Sequence, residues 1–351
     1  MKKSYLFAAA LAAGMSFASC SNDENVENVA MQSSLNVESV GLQGMNSRSG
    51  ITAEYFTHGE SLGLYIYAGE KSDLSSVTPT YSDGGNVDLN VQYTESSGNW
   101  SPATLPIVLS SKVGTVYAVY PYDAANTDPS QVAITVAETQ GTGQSDGSQL
   151  ANGQYDYMWA TPAENVSNAT AAAAKVNLSM NHALAMVTFK FKQADAAADE
   201  YPGVGHVSSI KLFNDAQASS AKPILTGAAK LNIANGAISG ATASANGITV
   251  NPDTDLMDVT TESLLPRMLI YPSVDFIAGE AKMTFVIDGS TYTLNVPAMG
   301  VADSGKGYEA GNNYIYTLTM KGTKLEVESV SIKEWVGQEL TGGDIQTPDQ
   351  I

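Results

Sequence analysis

Met283-Thr284-Phe285-Val286-Ile287-Asp288-Gly289-Ser290-Thr291-Tyr292-Thr293-Leu294-Asn295-Val296 reads as two strands and the turn between them. Met283, Phe285 and Ile287 fall on one face of an extended chain, and Tyr292, Leu294 and Val296 repeat the two-residue period. Asp288-Gly289-Ser290-Thr291 supplies the small, polar residues that tolerate the positive φ angles of hairpin turns. The same grammar extends in both directions. Short runs rich in apolar, β-branched and aromatic residues stand at Leu62–Tyr67, Val113–Tyr120, Val132–Val136, Ala185–Phe191, Val207–Phe213, Met268–Tyr271, Tyr314–Met320 and Leu325–Trp335. Turn residues such as Asp83-Gly84-Gly85 and Ser97-Gly98-Asn99 lie between them. Strands of about six residues, broken by turn signals roughly every 10–20 positions, predict an all-β protein of sandwiches or barrels. Helical signal is thin. Ala169–Ala174 is Ala-rich without an apolar period and reads as a linker. A domain boundary is expected there, because Ala185–Phe191 and Val207–Phe213 read as neighbouring strands of one sheet. The loop Gln193–Gly205 is the alternative boundary.

The first twenty residues speak to compartment. Lys2 and Lys3 form a short basic region, and Ser4–Phe17 is apolar, Ala-rich and too short to span a bilayer. The segment ends Phe17-Ala18-Ser19-Cys20, which resembles the lipobox of bacterial lipoproteins, with Phe17 where Leu is usual. Cys20 is the only cysteine of the chain. At the end of a signal peptide it is expected to carry lipid, each buried CH₂ of which contributes about 0.8 kcal/mol of anchoring. The polar stretch Ser21-Asn22-Asp23-Glu24 then reads as a solvated tether. With 36 acidic and 17 basic residues, the formal charge is −19. Binding to nucleic acid or to an anionic membrane surface needs basic patches that this balance argues against.

Residues that carry chemistry are sparse. Gly143-Gln144-Ser145-Asp146-Gly147 matches G-x-S-x-G, a motif that requires a strand before it and a helix after it. Here it sits in a Gly/Ser/Gln-rich loop. His58, His182 and His206 are far apart and form no metal-binding pair. Asp253, Asp255 and Asp258 resemble part of a calcium loop, but the Gly and Glu of an EF-hand are missing from their positions. A solvated acidic loop is the reading adopted. Tyr155, Tyr157 and Trp159 fit stacking on sugars and fit an alternating, half-buried strand equally well. The expectation is a protein with no catalytic residues, no cofactor and no metal.

The two ends of the chain resemble each other. Residues 35–45 read Leu-Asn-Val-Glu-Ser-Val-Gly-Leu-Gln-Gly-Met, and residues 325–335 read Leu-Glu-Val-Glu-Ser-Val-Ser-Ile-Lys-Glu-Trp. Five of the eleven aligned positions are identical: Leu35/Leu325, Val37/Val327, Glu38/Glu328, Ser39/Ser329 and Val40/Val330. Leu42/Ile332 and Met45/Trp335 keep apolar character. Both segments break strict alternation between the second and third apolar residues, which predicts a bulge at the same point in each. Between the first segment and the body stands Arg48, followed by Ser49, in a small, polar stretch that suits a protease reading a guanidinium, although taken alone it reads as an ordinary surface arginine.

In this order of features the chain resembles the fimbrillin family, the type V pilins of Gram-negative anaerobes. Met180-Asn181-His182-Ala183-Leu184-Ala185-Met186-Val187-Thr188-Phe189 is similar to that family's central "H-A-x-A-x-V/I" strand. Tyr308-Glu309-Ala310-Gly311-Asn312-Asn313-Tyr314-Ile315-Tyr316, followed by a strand ending Glu334-Trp335-Val336, is a further match. The resemblance implies two consecutive transthyretin-like β-sandwich domains, 49–176 and 177–351. A lipoprotein signal peptide (1–19) and a lipidated, removable pro-segment (20–48) would precede them. It implies lipid on Cys20 at the outer membrane and cleavage between Arg48 and Ser49 by an arginine-specific protease. Leu35, Val37, Val40, Leu42 and Met45 would then belong to a plug strand. Leu325, Val327, Val330, Ile332 and Trp335 would belong to a donor strand that enters the vacated groove of the next subunit. Such a donor is expected to lie outside the core of its own subunit. The partners implied are identical subunits in a stalk, together with accessory anchor and tip pilins. A monomeric surface lipoprotein that binds glycans or host proteins is the alternative.

Overall fold

Two residues, Asp288 (φ 46°) and Gly289 (φ 77°), make the turn of the hairpin quoted above, so that Ile287 pairs directly with Ser290. Ser97 (φ 54°) and Gly98 (φ 81°) do the same between Ser96 and Asn99. Positive φ at both central positions matches the right-handed twist of the flanking strands. The computed structural model describes residues 34–43, 56, 58–72, 74, 81, 89–141, 149–150, 154–217, 222–261, 265–298 and 307–335.

In chain order the first strands are β1 (Asn36–Leu42), β2 (Ser61–Ala68), β3 (Val91–Ser96), β4 (Asn99–Pro102), β5 (Gly114–Tyr120), β6 (Val132–Val136) and β7 (Thr139–Gln140). Next come β8 (Gln149–Leu150), β9 (Gln154–Tyr155), β10 (Met158–Ala160), β11 (Ala163–Val166), β12 (Lys175–His182) and β13 (Ala185–Gln193). β14 (His206–Asn214), β15 (Leu225–Asn232), β16 (Ala237–Ser239), β17 (Thr242–Ala243), β18 (Ile248–Val250) and β19 (Thr254–Asp255) follow. The chain then runs through β20 (Arg267–Ile270), β21 (Ala281–Ile287), β22 (Ser290–Asn295), β23 (Asn312–Lys321) and β24 (Lys324–Glu334). The protein is all-β, as expected, and Ala169–Ala174 is turn rather than helix.

The largest sheet runs β1-β12-β10-β5-β2-β3-β4, with β11 also on β5. Leu62, Leu64 and Ile66 of β2 and Val116, Ala118 and Tyr120 of β5 face one core, with Val176, Leu178 and Met180 of β12. Tyr65, Tyr67, Tyr117 and Val119 leave the opposite face for a second, larger core. Burial on both faces is why β2 and β5 read as continuous apolar runs rather than alternating ones. The larger core is filled from β20-β13-β23-β24 and β22-β21-β14-β18-β7. Phe189 and Phe191 of β13 meet the Phe285 ring edge-on at 5.7 and 5.6 Å.

Neighbours differ from expectation in two places. β13 and β14 do not pair: they belong to different sheets and face each other through Phe189, Phe191, Ile210 and Leu212. Alternation tells which face of a strand is buried, not which strand lies beside it. The boundary expected at residue 176 falls inside β12, which stays in the first sheet, and the chain enters the next sheet only past Ala183 and Leu184. β6 also crosses over, pairing with β15 from Val132↔Leu231 to Val136↔Gly227.

Candidate functional site

β1 lies at the end of the first sheet, parallel to β12, in register from Asn36↔Lys175 to Leu42↔Met180. Its backbone is held at both ends: Leu35 N–H donates to the Ile107 carbonyl (2.8 Å), and Gln43 N–H to the Met180 carbonyl (2.8 Å). Ser34 bridges Val108 on the side away from β12, and β1 packs beside β4 at the other end of the sheet. Leu35, Val37 and Leu42 are each 4 % exposed within the smaller core, with Val40 half-buried beside them. Three side chains buried this fully contribute about 5–9 kcal/mol before entropy costs. The outer face is polar: Lys175 pairs with Glu38 and Ser39 donates to Asn177, both at the surface, where such contacts add little.

β24 pairs antiparallel with β23 from Lys324↔Lys321 to Glu334↔Asn312. Leu325 and Trp335 are buried in the larger core, and Val327 and Val330 pack partly against it. This corrects the expectation that 325–335 lies outside its own subunit: it is the last strand of its own sheet. Among the described residues no strand pairs with its other edge, and the strand carries charge of both signs, a common guard against indiscriminate pairing. Hydrogen bonds from Lys321 and Lys324 hold the Glu326 carboxyl down to about 2, and Lys192, then Thr319, hold Glu328 below the usual range. One apolar residue of β24 stays exposed although it lies cross-strand from buried Tyr314. Ile332 is 57 % exposed.

The two segments share their irregularity. In β1, Val37 faces Val176 while Ser39 faces Asn177, so Glu38 is the extra residue. In β24, Val327 faces Leu318 while Ser329 faces Thr317, so Glu328 is the extra residue. Each bulge sits at the aligned glutamate, between the second and third apolar positions.

Cys20, Met45, Arg48, Ser49 and the G-x-S-x-G stretch lie outside the described residues. The histidines stay apart. His58 is in an exposed turn, His182 is buried against Asp156, and His206 bridges Asp255 (3.0 Å, Nδ1) and Asp253 (3.1 Å, Nε2) at the surface. Those two bonds, Asp253 first, raise the His206 pKa above its ordinary value. Asp258 instead accepts the Gln193 N–H. Among the described residues no three acidic, His or Cys side chains group to hold a metal. Tyr157, between β9 and β10, and Trp159, in β10, are half-buried and pack against the larger core. The sequence reading missed that the His182 ring stacks on Trp335, with centroids 3.7 Å apart and 7° between planes. The only available signal was a buried-strand histidine and a strand-end tryptophan, 153 residues apart, and pattern alone does not join them.

The family model described as fimbrillin-like matches residues 47–335. The match begins after β1 and ends at Trp335. No curated protein matches the chain. Among solved structures, a candidate cell adhesion protein from Bacteroides ovatus has a TM-score of 0.60 at 16 % identity, over 88 % of this chain and 99 % of its own. One from Bacteroides uniformis has a TM-score of 0.56 at 19 % identity, over 87 % and 99 %. A fimbrial protein from Bacteroides vulgatus has a TM-score of 0.50 at 15 % identity, over 86 % and 99 %. At such identities these likenesses establish a shared fold and nothing finer.

Proposed function

The chain belongs to the fimbrillin-like family, and on that premise we propose that it is the repeating stalk subunit of a cell-surface fimbria that supports adhesion. The precursor is exported as a lipoprotein held to the outer membrane through Cys20. An arginine-specific protease cuts between Arg48 and Ser49, and identical subunits then join by strand exchange, with accessory anchor and tip pilins at the fibre's ends.

The observation that carries this reading is β1. It precedes the stretch shared with the family, yet it completes the smaller core through Leu35, Val37 and Leu42. Its removal exposes the apolar residues it covered and frees the backbone groups of β12 that paired with it. A strand of the same shape from a second copy covers both. Residues 325–335 have that shape: apolar character at the same five positions, the same bulge, and an exposed Ile332 where β1 has Leu42. Donation requires β24 to leave β23, so the ladder given up in one subunit is replaced by the ladder formed in the next. A retained anchor has no use for a cleavable Arg48 segment, and a tip needs no donor, which favours the stalk.

Full-length chain treated with an arginine-specific protease should convert to a ladder of multimers that resists mild SDS, while Arg48→Ala stays monomeric. A cleaved chain that remains monomeric contradicts the reading and favours a monomeric surface lipoprotein.

A further inference from the structure

The end of β12 holds a feature that strand exchange alone does not require. Asp156, buried between β9 and β10, contacts His182 Nδ1 through both carboxylate oxygens, at 2.8 and 3.0 Å. That contact fixes the imidazole plane. Against its face lies the indole of Trp335, 9 % exposed, its backbone N–H donating to the Gly311 carbonyl at 2.7 Å. A cleft bounded by Gln43, Trp159, Asn235 and Glu334 opens beside the stack. The seat is thus flat, rigid and accessible from one side, which is what a large aromatic anchor at an interface uses.

Its position relates it to the groove. β1 leaves β12 at Leu42↔Met180. A donor strand in the same register puts Ile332 at Leu42's place and carries Trp335 three residues further, alongside His182 and Ala183. The tryptophan now on that seat belongs to the subunit itself.

We propose, resting on the strand-exchange reading, that His182 and Asp156 form a tryptophan-binding site filled by the subunit's own Trp335 before assembly and by Trp335 of the incoming copy in the fibre. One indole replaces an identical one, as in a domain swap, so the stack lost when β24 leaves is regained at the joint. Until then the same stack pins the end of β24 and occupies the end of the groove.

The test uses two synthetic peptides of residues 325–335, native and Trp335→Ala, titrated against the chain cleaved at Arg48. The native peptide should bind about tenfold or more tightly than its partner, and His182→Ala in the chain should erase that difference. Equal binding of both peptides overturns the seat and leaves strand exchange standing. Binding by neither overturns strand exchange, and the seat with it. The wild-type comparison decides even where His182→Ala does not fold. In the uncleaved chain, Trp335→Ala should speed hydrogen exchange at the end of β24 about tenfold or more, because a pinned strand end then frays. Unchanged protection overturns the role in the free subunit.

Discussion

Ile332 and Leu42 occupy aligned positions in opposite circumstances, one 57 % exposed and the other 4 %. Ile332 shares the face of β24 that Val330 turns to the core, cross-strand from Tyr314, yet it lies beyond the packed part of that face, and under the proposed exchange a second subunit covers it. Ile332→Asp should therefore leave thermal stability within about 0.5 kcal/mol of wild type while blocking multimer formation after cleavage. Normal multimers would remove Ile332 from the joint. Val330→Asp is the poorer probe, because Val330 already packs against its own core and its loss costs about 1–3 kcal/mol there. In the plug, Val37→Asp buries an unpaired carboxylate at several kcal/mol and should allow assembly before cleavage. Asp288, at the hairpin turn, is a separate case. Burial raises its pKa, but the Tyr201 hydroxyl and the N–H groups of Gly205 and His206 outweigh that and hold it below the ordinary value. Its stabilisation is present above the unfolded value of about 3.9 and is lost as pH falls through the lower folded value. Asp288→Asn should thus flatten acid unfolding below about pH 4, measured by circular dichroism; an unchanged acid limb would mean the network adds nothing.

Several strands long enough to show a period were legible in the sequence, while β3, β12 and β15, six to eight residues long, were not among the runs read there. β21, β22 and β23 fall within two residues of the runs read there, and β6 coincides with its run. The β21–β22 hairpin was legible because Asp-Gly has one geometric use between extended runs. β16, β17 and β18 escaped, since two or three residues carry no period and are set by what they lie against. The sheet partners of β13 and β14 escaped for a related reason: both bury alternate residues into the same core from opposite sides. Of the candidate site, the slip in alternation was legible and the bulges at Glu38 and Glu328 stand at it. Deleting Glu38 should turn Leu35 and Val37 away from the core relative to Leu42, because a one-residue shift reverses every side chain beyond it. The uncleaved variant should then be cut faster by a nonspecific protease within residues 34–43. Equal resistance would mean the bulge does not set the plug's fit.

At the scale of the whole molecule, β12 contacts both segments to which the proposal assigns assembly. Its edge pairs with β1, and its last residue, His182, stacks on Trp335, which follows β24. The sequence separates these elements by well over a hundred residues, so only the folded chain shows that both contact the same strand. Export fits the same scheme, with Cys20→Ala expected to abolish palmitate incorporation and surface display; display without lipid would remove the lipoprotein step. The central claim is that fibres are built from chains that have lost everything through Arg48. Its most direct measurement is the N-terminal residue of the subunits in fibres sheared from cells. The account predicts Ser49. Subunits that begin upstream of it, still carrying Leu35–Leu42, would contradict the account, because the groove meant for the next subunit would still be filled.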